Sequence, residues 1–123
     1  MTERVPIMRM GDNLIVMLQG DLEDGTVEQI EREVTREVAR TQARGALIDV
    51  SGLSVVDSFV ARIISRIVAM IRLLGSDATI VGIQPAVALT LVELGVPLRH
   101  VATALTAEQG MARLQGRRRE PAR

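Results

Sequence analysis

Beyond Gly20 the hydrophobic period of the chain keeps switching, and that alternation limits its possible folds more than any other feature. From Thr26 to Ala43 the residues Val27, Ile30, Val34 and Val38 recur at spacings of three and four, which lays one apolar stripe along a helix. Gly45 follows and suits the cap of that helix. Ala46–Val50 is then a short continuous apolar run, as expected of a parallel strand covered on both faces. A second helix is expected to start at Asp57 or Ser58 and stop at Gly75. It would bury Phe59, Ile63, Ile64, Ile67, Val68, Ile71 and Leu74, with Asp57 as its N-cap. Ala78–Gly82 reads as a strand, and Pro85–Leu94 as a helix opened by proline. Arg99–Ala102 is a short last strand, and Thr106 to about Leu114 a fourth helix. Its start carries the capping-box pattern Thr106-Ala-Glu-Gln109.

Ahead of this alternation, Pro6–Met10 and Leu14–Leu18 flank Gly11-Asp12-Asn13, which predicts a β-hairpin. The full order is β-β-α-β-α-β-α-β-α. That order implies an α/β fold with one mixed, mostly parallel sheet of about five strands and about four helices. At 123 residues there is room for one domain, expected over 1–115, with 116–123 a disordered tail.

Composition removes most chemistries. There is no Cys, so thiolate catalysis and disulfides are excluded, and the single His100 cannot form an imidazole metal site. His100, between Arg99 and Val101, reads as a surface or strand-edge residue. There is no Lys for a P-loop, no Gly-x-Ser-x-Gly elbow, and no G-x-G-x-x-G after a strand. Asp21, Glu23 and Asp24 share one turn-rich stretch and read as turn residues. No enzyme, cofactor or metal is expected. Phe59 is the sole aromatic, and 15 basic residues balance 15 acidic ones. Neither base stacking nor a basic field therefore favours nucleic acid or an anionic membrane. The longest apolar region, Ser58 to Gly75, is interrupted by Arg62, Arg66 and Arg72, and no segment reads as a membrane span or signal peptide. A cytoplasmic location is expected.

One segment remains: Leu47-Ile-Asp-Val-Ser-Gly-Leu-Ser-Val-Val-Asp-Ser-Phe-Val60. A strand runs through a loop into a helix whose first residues are Asp57 and Ser58. Two readings fit. Asp-Ser ahead of an apolar helix is an ordinary N-cap. Alternatively, the Ser58 hydroxyl at a helix start and a sheet end could carry a phosphate, which would add about −1.5 to −2 charges. Phe59, Arg62 and Arg66 lie on the first turns of the same helix and are candidate docking residues beside Asp57.

Taken together, Asp49, Asp57 and Ser58 in Ile48-Asp-Val-Ser-Gly-Leu53…Val55-Val-Asp-Ser58 resemble the signature of STAS domains, the anti-sigma factor antagonist family. Gly82-Ile-Gln-Pro-Ala-Val-Ala-Leu-Thr-Leu-Val-Glu-Leu-Gly95 resembles a second signature, found in STAS proteins of the stressosome. The resemblance runs from about residue 5 to 115. Ordinary antagonists carry Asp-Ser-Ser-Gly at this loop, whereas Asp57-Ser58-Phe59-Val60 resembles the small stand-alone scaffold subunit of the stressosome. The RsbR-like co-scaffold usually carries Thr there and a sensor domain ahead, for which this chain has no room. The resemblance implies a non-enzymatic scaffold within a large hetero-oligomer with RsbR-like STAS subunits. Such a scaffold holds an RsbT-like serine/threonine kinase, releases it when Ser58 is phosphorylated, and is reset by a phosphatase. The alternatives are a stand-alone STAS antagonist of an anti-sigma factor, a STAS subunit of another system, or a small-molecule binder.

Overall fold

The structure, a computed structural model, describes residues 6–20, 24–53, 57–95 and 102–119, with backbone alone at 24–25 and 116–119. Its elements are β1 (Ile7–Met10), β2 (Asn13–Gly20), α1 (Asp24–Thr41), β3 (Gly45–Leu53), α2 (Ser58–Leu73), β4 (Asp77–Val81), α3 (Pro85–Glu93), β5 (Ala102–Ala104) and α4 (Ala107–Arg119). This is the expected order of five strands and four helices. One sheet runs β1-β2-β3-β4-β5, with β1 antiparallel and every other pairing parallel.

Register explains why the middle strands lack polar alternation. Leu14, Ala46 and Ala78 align across the sheet, as do Val16, Ile48 and Ile80. These residues face α1 and α2 in one large core, together with Val27, Ile30, Val34 and Val38 from the α1 stripe. Ile15, Leu47 and Val81 point the other way, onto Leu114 and the half-buried Ala107 and Met111 of α4. Both faces are covered, so nearly every side chain of β2, β3 and β4 can be apolar. The antiparallel edge strand β1 lacks that cover and leaves Met8 and Met10 exposed.

α4 approaches its face of the sheet closely. A Cβ on the buried Gly110 would lie 2.5 Å from Val81 Cγ1 and 2.8 Å from Leu47 Cδ2. Only glycine lets the helix sit this near. Its start is half a capping box. Thr106 Oγ1 accepts from Gln109 N–H at 3.2 Å, but the Gln109 side chain accepts from Leu105 N–H, one residue upstream of the expected partner. The helix also runs to Arg119, about one turn beyond the expected end near Leu114, so 116–119 of the expected tail are helical.

Other expectations shift for local reasons. Gly45 does not cap α1. It begins β3, paired with Asn13 and Asp77, and Gln42 takes the left-handed turn at φ 51°. β3 also continues past Val50 to Leu53, because β2 keeps pairing with it at Gly52 and Leu53. Leu74 is not core. It is the C-cap of α2 and 45% exposed, since the chain leaves the helix there. Gly75 N–H returns to Arg72 O and Ser76 N–H to Ile71 O, the paired bonds of a Schellman ending. Of the last strand, only Ala102–Ala104 is described. Residues 99–101, His100 among them, lie outside the described residues, as do Asp21 and Glu23.

Candidate functional site

The parallel strands deliver the chain to one edge of the sheet. β3 pairs with β4 only as far as Asp49 and Val81, then runs on beside β2. Outside the carboxyl ends of the strands, α/β proteins commonly place their ligands and partners. Here that edge gathers the end of β3, the start of α2, and the turn from β4 into α3.

The turn is fixed by short contacts. Asp49 Oδ1 accepts from Ser51 N–H at 2.9 Å and from Ser51 Oγ at 2.6 Å, an Asx-type turn that folds the carboxylate back on its own backbone. Gly82, at φ 78°, fits against this turn; a Cβ there would meet Ser51 Cβ at 2.7 Å and Asp49 Oδ1 at 3.0 Å. Gln84 Nε2 donates to Ser51 O at 3.3 Å. Asp49, Ser51, Gly82 and Gln84 thus tie the end of β3 to the turn between β4 and α3. The signature segments noted in the sequence meet in space at this point.

At the helix start, Asp57 is the N-cap. Its backbone is extended (φ −111°, ψ −172°), and its Oδ1 accepts from Val60 N–H at 2.9 Å. Its carbonyl accepts from Ala61 N–H at 2.9 Å. Asp57 therefore does the capping by itself. Ser58 is the first helical residue and is exposed, so its hydroxyl is not used to start the helix. The two readings of Asp57-Ser58 are consequently compatible: one residue caps, and the other is left open to solvent.

The remaining candidates separate by helix face. Residues 58, 62 and 66 are spaced by four and share one side of α2. Ser58, Arg62 and Arg66 are all exposed there. Arg66 is engaged, its Nη2 lying 3.0 Å from Glu31 Oε2 on α1. Phe59 turns inward and is half-buried against the large core. No acidic residue lies in the first turn of α2.

The residue patterns did not single out the outer face of α3. Only Leu91 of this helix is buried, whereas Leu89 and Val92 are 60% and 77% exposed, with Leu94 and Leu105 nearby in sequence to α3 and β5 also open. The available signal was the lack of a one-sided stripe in Pro85-Ala-Val-Ala-Leu-Thr-Leu-Val92, which is apolar nearly all round. Among the described residues no group of three or more His, Asp or Glu side chains is placed to hold a metal, and no helix is long and apolar enough to cross a membrane.

The chain belongs to the STAS domain family, whose pattern matches residues 5–107. Its curated relatives include the RsbT co-antagonist protein RsbRA of Bacillus subtilis, 32% identical over 107 residues, which cover 86% of this chain and 39% of that protein. This chain therefore spans about two-fifths of that relative. Among solved structures, Moorella thermoacetica RsbS S58E is 37% identical, with a TM-score of 0.85, over 96% of this chain and all of that one. A chain from the molecular architecture of the stressosome, a signal integration and transduction hub, is 36% identical, with a TM-score of 0.81, over 94% of this chain and all of that one. The unphosphorylated anti-sigma factor antagonist SpoIIAA, at 16% identity and a TM-score of 0.68, shares the fold.

Proposed function

We propose that this protein is a stressosome scaffold subunit of the RsbS type, which holds an RsbT-type serine kinase and releases it when Ser58 is phosphorylated. The observation that carries the reading is the division of roles at the start of α2. Asp57 satisfies the Val60 N–H, and Ser58 stands exposed beside it with no part in the cap. A kinase can then modify the hydroxyl without breaking the helix start. Likeness to RsbS and to a stressosome chain over nearly the whole length supports the scaffold role. Likeness to a protein named as an RsbT co-antagonist makes an RsbT-like kinase the partner to test. The same likeness supports RsbR-like STAS chains as co-scaffolds in a large hetero-oligomer. The chemistry in this scheme belongs to the kinase and to a resetting phosphatase; this chain is substrate and scaffold.

The energetics favour a switch of this kind. A phosphate brings about −1.5 to −2 charges onto a face that must shed water to dock. Burying it against a partner without matched donors is costly, so one local modification can change affinity by orders of magnitude. The test is to incubate the purified chain with an RsbT-like kinase and ATP, then map the product by peptide mass spectrometry. The expected result is phosphate on Ser58 and none on the Ser58→Ala variant. An active kinase that leaves the chain unmodified would reduce Ser58 to the first residue of a helix and overturn the reading.

A further inference from the structure

Phosphate on Ser58 would sit next to the Asp57 carboxylate, which repels it, and at the start of α2, where the helix dipole favours an anion; a cation within reach would add to that second effect. The positive side chains of α2 are Arg62, Arg66 and Arg72. Arg66 is held by Glu31 across the α1–α2 seam at 3.0 Å, and Arg72 lies in the last turn, far along the helix. Arg62 is one turn after Ser58, exposed, and in no ion pair among the described residues. Residues four apart on a helix have Cβ atoms about 5–6 Å apart. A long guanidinium at the later position can therefore reach a phosphate at the earlier one and bind two of its oxygens at once.

We infer that Arg62 is the intramolecular partner of phosphorylated Ser58. This inference rests on the reading of Ser58 as the modified residue and adds how the mark is read. Modification then changes the docking face twice: it adds an anion at 58 and removes the free cation at 62. A partner that meets Arg62 with a carboxylate loses that contact in the same step that introduces repulsion. Three carboxylates, at the N-cap of α2, on β3 and on α1, are already engaged. Asp57 is bonded to Val60 N–H, Asp49 to Ser51, and Glu31 to Arg66.

The test installs phosphoserine at position 58 during translation, so it does not depend on any kinase. The second ionisation of the phosphate is followed by 31P NMR against pH, in the parent, Arg62→Gln and Arg66→Gln proteins. The free group ionises near pH 6. Arg62 favours the dianion, so Arg62→Gln is expected to raise that midpoint by about 0.3 unit, the scale of a surface pair four residues apart. Arg66→Gln is expected to leave it in place. Equal midpoints in the parent and Arg62→Gln proteins would overturn the role of Arg62 while leaving phosphorylation of Ser58 standing. Failure of a kinase to modify Ser58 is a separate result and bears on the proposed function itself.

Discussion

Asp57 and Ser58 are adjacent, yet each does a job the other does not. The carboxylate of Asp57 accepts from the third N–H of α2, while Ser58 is exposed and takes no part in that bond. Side-chain caps of this type are worth about 1 kcal/mol. Asp57→Ala is therefore expected to lower the free energy of unfolding in urea by about 1 kcal/mol, whereas Asp57→Asn, which keeps an acceptor, should lose much less. If both variants were as stable as the parent, the helix start would not depend on this bond. At this scale the sequence was readable, because an N-cap is a local pattern. The tie between Asp49, Ser51, Gly82 and Gln84 was not, because it joins residues more than thirty apart whose meeting depends on the register of β3 and β4.

Among the elements, α1 and α2 were the easiest to foresee. Each buries a stripe at helical spacing, and Val27, Ile30, Val34, Ile64, Ile67 and Ile71 all sit in the core. α4 was harder. Its cap could be read from Thr106 and Gln109, but its role as cover for the second face of the sheet rests on Gly110 and a few apolar neighbours rather than on a long stripe. Gly45 shows the reverse error: a glycine after a helix looks like a cap, but sheet pairing with Asn13 and Asp77 claimed it for β3. The close approach of α4 makes a sharp prediction. Gly110→Val must displace Val81 and Leu47 or lift the helix, and overpacking of this kind typically costs about 1–3 kcal/mol. Urea denaturation should show that loss. An unchanged midpoint would mean that α4 does not bear closely on the sheet.

Over the whole molecule, the fold brings two separate stretches of sequence to one edge. Parallel order carries the ends of β3 and β4 to the same side. There the turn before α3 locks onto the last residues of β3, at the same end of the sheet as the exposed start of α2. The alternation of strand and helix predicted that order, since parallel neighbours need a crossover between them. It did not predict that α3 would leave Leu89 and Val92 in solvent. Exposure of that kind depends on what a helix meets, and α3 meets little among the described residues. The apolar face of α3 and the polar start of α2 are both open to solvent, as the proposed scaffold role requires of docking surfaces.

Phosphate on Ser58 is proposed to end capture of the kinase, and a calorimetric titration reads that step without an intervening assay. An RsbT-like kinase would be titrated into three forms of the chain: unmodified, Ser58→Ala, and phosphoserine at 58. Similar tight binding is expected of the first two, and an affinity at least about tenfold weaker of the third, equivalent to about 1.4 kcal/mol or more. Equal affinity for all three forms would contradict the proposal.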